Sequence, residues 1–561
     1  MSDAPAVEIH QLTPGIEGTI EIPRLGTWDG SRIYCAYSRN TDSIWMQWTD
    51  DVGVTWSDPV PAIPNPGPRY ITDANILVDR DRITVFATHV LDLPDSPGTF
   101  AKSHILATTS DDGGLTWSPA EPLPIRHEYP VGVVHTPVWM DGDTVVMGYA
   151  WDVPAEEHRA AADEGGMFIR SGVLISHDRG RTWTPGADVS VEHHPIGADE
   201  PGIVRLSNGD LFMVVRTSYP TPYETMSHDG GLTWEEPRPA TVHAFNSPTT
   251  LLRLRDGPIL RAWDNSPTAR FPLVVAVSDD DCRTWSQPRT VTTPAVGPDG
   301  ALEYRTACYP ALAEAADGTV LMAWWQRTDA GENSVRYARL SREWIDEARR
   351  LPRPKRIVAF GDSVTVGARP GVEEHQTFRA LIERGLTDEG KPVEVINDGL
   401  GGDNTRSALG RLDRDVLTWR PAAVIVCFGI NDAAMVDTGP VARTEPRVPL
   451  DEYRANLTTI VGRIRAAGAR VLLCTPTPMS RKYVYADLGA YAEHEDINYL
   501  VRQYAQVAWE VSADEGVPLV DLFGLLADRL ELIEDGNHPF VEGHKLIAGA
   551  LLGPAKAALG G

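Results

Sequence analysis

The pattern Ser/Thr-x-Asp-x-Gly-x-Thr-Trp begins at Thr49, Ser110, Ser176 and Ser227, and once more at Ser278, where Cys282 takes the Gly position. A repeat constrains a fold strongly, because one unit cannot bury its apolar face alone and must stack on its copies. The closing residues Trp56, Trp117, Trp183, Trp234 and Trp285 are spaced 61, 66, 51 and 51 residues apart. Between them the chain reads as short β runs broken by Gly, Asp and Pro. A β-rich repeat of this size is the mark of propeller blades. Within each copy, Asp accepts backbone N–H bonds, Gly supplies a positive φ, and Trp packs between blades. Five copies, plus strand runs at 320–326 and 334–340 that lack one, predict six blades. The N-terminal strand is expected to complete the last blade and close the ring.

Near residue 350 the pattern changes. Residues 1–348 form the predicted propeller. Residues 349–355 read as a basic linker, made semi-rigid by Pro352 and Pro354. In residues 356–561, apolar β runs at 358–360, 393–396, 423–428, 471–474 and 517–520 alternate with amphipathic stretches such as 450–467 and 498–515. That alternation predicts a three-layer α/β/α domain around a mainly parallel sheet.

Charge and cysteine usage exclude several function classes. Lys+Arg number 51 and Asp+Glu 78, a net charge of −27. So acidic a chain repels nucleic acid and anionic membrane, and neither is an expected partner. Cys35, Cys282, Cys308, Cys427 and Cys474 form no CxxC pair, so neither a disulfide scaffold nor a metal cluster is predicted. No cofactor is expected. No apolar run reaches the ~18 residues of a membrane span. The first residues lack the basic and apolar segments of a signal peptide. The expected location is therefore cytoplasmic, and the expected partner a small molecule or glycan substrate. The oligomeric state stays open.

The second half carries the clearer chemistry. An apolar run enters the turn Gly361-Asp362-Ser363, at the strand end where α/β sheets bind ligands. Asp535-Gly536-Asn537-His538 supplies a carboxylate and an imidazole three residues apart. A serine nucleophile needs such a base and a carboxylate to orient it. An oxyanion needs further donors. Gly402 follows the run at 393–396, and Asn431 follows the run at 423–428. These four blocks, in this order, resemble the SGNH (GDSL-type) hydrolases over about residues 354–559. The resemblance implies a flavodoxin-like sheet, Ser363 as nucleophile, and His538 as base with Asp535 as its partner. It implies an oxyanion hole of the Ser363 and Gly402 N–H groups and Asn431. Val364 stands where that family more often has Leu.

The repeat itself is the Asp box of sialidases (BNR repeats), and the first half resembles that family over roughly residues 10–345. The family uses a Tyr nucleophile relayed by Glu, an Asp acid/base and three Arg that clamp the substrate carboxylate. The resemblance places the Glu at Glu200, two of the arginines at Arg216 and Arg270, and the nucleophile at Tyr309. Two departures stand out. Glu21, in Ile20-Glu21-Ile22-Pro23, occupies the position of the first Arg. Arg24 is close by, but strand alternation points it to the opposite face. The segment that holds the family's acid is short here, leaving Asp42, with Asp73 as the alternative. His135 and Asn246 recur at blade starts and are further pocket candidates.

Three functions fit these readings. In the first, a serine esterase removes an O-acyl group, acetyl above all, from a glycan that the propeller binds and cleaves. In the second, the propeller is a non-catalytic glycan-binding module beside an esterase or lipase. In the third, a true exo-sialidase is joined to a sialate O-acetylesterase, a reading that Glu21 disfavours.

Overall fold

The computed structural model describes residues 7–12, 18–64, 67, 70–91, 102–125, 127, 130–132, 135–153, 168–191, 196–217, 221–266, 269–295, 302–328, 330–350, 354–367, 369–388, 393–436 and 441–560. The N-terminal five residues read for a signal peptide, and residues 351–353 of the expected linker, lie outside them. The chain divides into two compact units, Met1–Leu351 and Pro352–Gly561.

The first unit is a six-bladed β-propeller of antiparallel sheets. Blade 1 runs Ile20–Gly26, Ile33–Arg39, Ser43–Thr49 and Val60–Ile63. The inner strands of blades 2, 4, 5 and 6 are Ile71–Asp79, Asp199–Arg205, Thr250–Arg253 and Thr306–Glu314. Blade 3 is built on the hairpin of Val145–Val153 and Phe168–Ser176. The ring closes as predicted. Ile9–Gln11 pairs with Asn333–Leu340, Ile9 opposite Ala338, so chain start and propeller end share blade 6.

The repeats show why their residues recur. In the third box, Ser176 Oγ donates to Asp178 Oδ1 (2.8 Å) and accepts from Gly180 N (2.7 Å). Asp178 in turn accepts from Thr182 N (2.8 Å) and Thr182 Oγ1 (2.6 Å). In the fifth box Cys282 N makes the equivalent bond to Ser278 Oγ (2.9 Å) at a left-handed φ of 64°, so the turn survives the loss of Gly. The Trp residues reach the previous blade. Trp183 meets Phe86 edge-on at 5.8 Å, and Trp56 meets Tyr337 at 5.6 Å. Such aromatic contacts, with the apolar clusters around them, join blade to blade.

The inner strands of blades 1, 2, 4 and 6 share one irregularity. Register breaks at Glu21/Arg24, Thr72/Asn75, Asp199/Gly202 and Cys308/Ala311. Each break contains a residue at positive φ: Ile22 (50°), Asp73 (55°), Glu200 (43°) and Tyr309 (57°). A β-bulge of this kind resets the alternation of side chains and re-aims them.

The second unit holds a five-stranded parallel sheet in the order Val393–Gly399, Lys355–Gly361, Ala423–Cys427, Arg470–Cys474, Leu519–Val520. Alternate residues feed opposite layers. Val358, Phe360, Val424 and Val426 pack with Leu457, Ile460, Tyr504 and Val507 of the helices Leu450–Ala466 and Tyr499–Glu515. Ile357, Ala359 and Ile425 pack with Ile382, Leu386, Ile547 and Leu551 of Phe378–Asp388 and Val541–Ala558. Arg349 and Arg350, read above as linker, close an amphipathic helix, Arg342–Arg350, whose Trp344, Ile345 and Ala348 are buried. Lys355 already belongs to the first strand of the sheet.

Candidate active sites

In the α/β/α unit the strand Lys355–Gly361 ends in a turn too tight for a side chain. A Cβ on Gly361 would stand 2.6 Å from Cys427 O, and one on Gly399 2.4 Å from Val366 N. Asp362 caps the short helix Ser363–Val366 through Val364 N (2.9 Å) and so fixes Ser363 at its start. Ser363 Oγ lies 2.8 Å from His538 Nε2, and His538 Nδ1 lies 2.8 Å from Asp535 Oδ2. Asp535 Oδ1 accepts from His538 N (2.9 Å) and Asn537 N (3.2 Å), which holds the carboxylate against its own turn. Burial raises the Asp535 pKa, but the His538 bonds outweigh it and the group sits below the usual carboxylate range. Burial holds the His538 pKa below its ordinary value against the pull of Asp535. At neutral pH the imidazole is therefore a free base.

Two loops carry the remaining candidates. Gly402 has φ 75°, and the place of its missing Cβ is open. Asn431 Nδ2 is buried without a hydrogen-bond partner. A buried orphan donor is costly unless a ligand oxygen satisfies it. Asp432, next in sequence, accepts from Thr405 N (3.0 Å) and Thr405 Oγ1 (2.5 Å), tying the two loops together.

Two arginines here escaped the sequence reading. Arg411 donates to Asp403 Oδ2 (2.8 Å), Asp398 Oδ1 (2.8 Å) and Gly361 O (3.2 Å), so it braces the Gly402 loop against the strand before Ser363. Arg369 donates to Asp535 Oδ2, the oxygen that His538 uses. Their only sequence signal was the acidic partners at 398, 403 and 535.

On the propeller, Tyr309 OH donates to Glu200 Oε1 (2.7 Å). Arg216 Nη1 donates to Glu200 Oε2 (2.6 Å) and to Tyr309 OH (3.2 Å). Asn246 links the two clamp arginines: its Oδ1 accepts from Arg216 Nε (2.8 Å) and its carbonyl from Arg270 Nη2 (2.7 Å). Glu200, Tyr309, Arg216, Arg270 and Asn246 thus converge on one cluster. Burial and the neighbouring Glu200 charge drive the Tyr309 phenol well above its ordinary pKa, while Arg216 and Arg270 oppose them. His135 is buried at its edge, and the space over Gly202 lies 3.5 Å from its ring.

Three expectations change. Asp42 stays in a hairpin turn, where its carboxylate accepts from Ser43 Oγ (2.7 Å). Asp73 is instead the aspartate that faces Glu200 and Arg24. Burial and the Glu200 charge push it up to about 7. Arg24 does not follow strand alternation. The bulge at Ile22 carries its guanidinium to 5.7 Å from the centre of the Tyr309 ring, buried at 1% exposure, with Nε and Nη2 unpartnered. Glu21 turns to the rim, where Asn333 Nδ2 donates to it (2.7 Å) and Trp325 Nε1 donates to Asn333 Oδ1 (3.1 Å). Trp325 is also the ring next to Tyr309, at 6.1 Å.

Among the described residues, no group of His, Cys, Asp and Glu is arranged to hold a metal ion. No helix of the described residues is long and apolar enough to cross a membrane. The five cysteines are free and buried.

The fold and these sites define a hydrolase in which a GDSL-type esterase domain follows a sialidase-like propeller. Residues 359–546 match the GDSL-like lipase/acylhydrolase family, and residues 81–322 match a BNR repeat-like domain. Through its C-terminal domain the chain belongs to the GDSL-like lipase/acylhydrolase family. That domain is 30% identical over 195 residues to the isoamyl acetate-hydrolyzing esterase 1 homolog of Mus musculus, covering 33% of this chain and 74% of that protein. It is 27% identical over 213 residues to an acetylxylan esterase of Geobacillus stearothermophilus, covering 35% of this chain and 92% of the relative. A sialidase of Micromonospora viridifaciens is 25% identical over 378 residues, which cover 61% of this chain and about half (52%) of the sialidase.

Proposed function

We propose that the chain is a carbohydrate esterase that removes O-acyl groups, acetyl above all, from a glycan held by its propeller. The observation that carries this reading is the Ser363–His538–Asp535 relay at 2.8 Å per step. His538 takes the Ser363 proton as Oγ attacks the ester carbonyl. The developing oxyanion takes the N–H groups of Ser363 and Gly402 and the orphan amide of Asn431. The alcohol leaves with the proton from His538. Water, activated by the same imidazole, then releases the acid from the acyl-serine. The acetylxylan esterase among the relatives and the attached sialidase-like propeller support a sugar ester over a lipid ester.

A second activity is favoured by the Tyr309–Glu200 bond. Glu200 is placed to take the phenol proton as Tyr309 attacks an anomeric carbon, and Asp73, pushed up to about 7, is an acid for the leaving oxygen. A panel of acetylated glycans and aryl glycosides, tested with wild type, Ser363→Ala and Tyr309→Phe, separates the two. Ser363→Ala is expected to lower acetate release by roughly 10⁴ or more and leave glycoside cleavage intact. Retained acetate release overturns the esterase assignment. Absent glycoside cleavage leaves the propeller as a binding module, and cleavage unchanged in Tyr309→Phe removes Tyr309 from the nucleophile role.

A further inference from the structure

The esterase turn carries a feature that the three-residue relay does not require. Gly367, at φ 71°, reverses the chain after the Ser363 helix; a Cβ there would stand 3.0 Å from Thr377 Cγ2 and 3.2 Å from His544 Cε1. The reversal brings Arg369 back to the triad. A two-way backbone pairing with Val372 pins Arg369 (3.0 and 2.8 Å), and its guanidinium stands 5.5 Å from the Phe540 ring centre. From there it donates to Asp535 Oδ2, while Oδ1 is already taken by two backbone N–H groups.

We propose that Arg369 is a positioning residue that sets the pH range of the esterase by sharing the Asp535 oxygen on which His538 depends. The inference rests on the Ser363–His538–Asp535 reading above. A carboxylate that serves a second cation holds an imidazolium less tightly, and the guanidinium also repels that imidazolium directly. Both effects keep His538 unprotonated at lower pH. Among the described residues, the groups acting on His538 are Asp535 on its own turn, Ser363, Arg369 and, from the helix Val541–Ala558, His544; Lys482 and Tyr483 lie on the turn packed against Gly536. Arg379, behind His544, is committed to Glu374 (2.9 Å) and to the carbonyls of Thr365 and Val366. Among the described residues, Arg369 is thus the cation hydrogen-bonded to the triad. The His538 shift has the same direction, with burial its largest cause and Arg369 adding to it.

The test is the pH profile of kcat/KM of the full chain on an aryl acetate, whose acid limb reports the free-enzyme base. Wild type is expected to show a limb below the ordinary imidazole value of about 6.5. Arg369→Gln is expected to raise that limb by about one pH unit, with the plateau within tenfold of wild type. Arg369→Lys, which keeps the charge, is expected to stay near wild type. A wild-type limb at or above about 6.5, coincident limbs for wild type and Arg369→Gln, or a Lys variant shifted as far as the Gln variant overturns the proposal. If Arg369→Gln fails to fold, Arg369→Met, read against the Lys variant in the same way, decides. Ser363→Ala in the same assay keeps the two readings apart. Retained activity there sinks the triad itself. Loss there with an unmoved Arg369→Gln limb sinks only the role of Arg369.

Discussion

Glu200 and Tyr309, 109 residues apart, meet in a 2.7 Å hydrogen bond from two matching positions in different blades. Each sits at left-handed φ inside a bulge and each is followed by a proline. Such φ values are costly for residues with a side chain, and they cluster where the surroundings impose them for function. Asp73 and Ile22 occupy the same kind of bulge in blades 2 and 1. Ile22 sends no polar group of its own, and the arginine two residues on fills the space beneath Tyr309.

In the proposed glycoside cleavage, Asp73 serves as the acid. Its pKa of about 7 keeps it largely protonated on the acid side of neutrality. Cleavage is then expected to fall on the alkaline side of about pH 7 as the proton is lost. Asp73→Asn is expected to slow glycosides with poor leaving groups by about 10²–10⁴ and activated aryl glycosides far less. Measured rates across a leaving-group series decide this, and an equal loss across the series removes Asp73 from the acid role.

Asn431→Ala is expected to lower kcat for ester hydrolysis by about 10²–10³, the usual loss for one oxyanion donor, with KM little changed. Steady-state kinetics on an aryl acetate check it. A change confined to KM shows that the amide binds ground-state substrate instead.

Both halves of the architecture were legible, for different reasons. The propeller could be read because its turns need fixed chemistry: Ser176, Asp178 and Thr182 bond through their side chains, and Gly180 takes a left-handed φ at little cost. The α/β/α domain could be read because its strands carry apolar residues on both faces. Ser363, His538 and Asp535 lie at strand ends and turns where the backbone alone fixes direction. Arg24, Asp42 and Arg369 were hidden because a bulge, a hairpin turn and a glycine reversal decide where they point. None of these leaves a trace in hydrophobic periodicity.

The Asp boxes make the propeller acid-sensitive. Asp178 is held at about 2 because the Thr182 and Ser176 bonds outweigh burial, and Asp229 is likewise held at about 2, by the Thr233 side-chain bond above all. These values lie below the unfolded value of about 3.9. Their contribution is therefore complete above pH 4 and lost as the pH falls from about 4 to about 2. Thermal midpoints measured over that range are expected to drop, and Asp178→Ala is expected to lower the midpoint at pH 7 by roughly 2–4 °C. An unchanged midpoint in Asp178→Ala shows that neighbouring blades hold the turn without it.

If the propeller binds a sugar as proposed, Glu21 is expected to decide which one it accepts. A sialic acid presents a carboxylate, and the sialidase pattern meets it with three arginines. Here Arg216 and Arg270 are already engaged by Asn246, and Arg24 is sealed beneath Tyr309 at 1% exposure. Glu21, which the resemblance sets at the position of the family's first Arg, is bound to Asn333. At an effective dielectric of ~20, unit charges ~4 Å apart interact by about 4 kcal/mol, so exchanging an attractive partner for a repulsive one costs several. A small ligand has few other contacts with which to recover that loss. Burial raises the Glu21 pKa, against the pull of Arg327 and Asn333, so the repulsion eases as the pH falls and the group protonates. Negligible release from an aryl α-sialoside is expected at pH 7. Turnover is expected instead on a neutral sugar, or on one whose hydroxyl or amine bonds Glu21. Glu21→Gln is expected to improve binding of an anionic sugar and weaken that of an amino sugar, read as opposite changes in KM. Robust sialoside release by wild type, abolished in Tyr309→Phe, shows instead that two arginines suffice and that Glu21 faces away from the bound carboxylate.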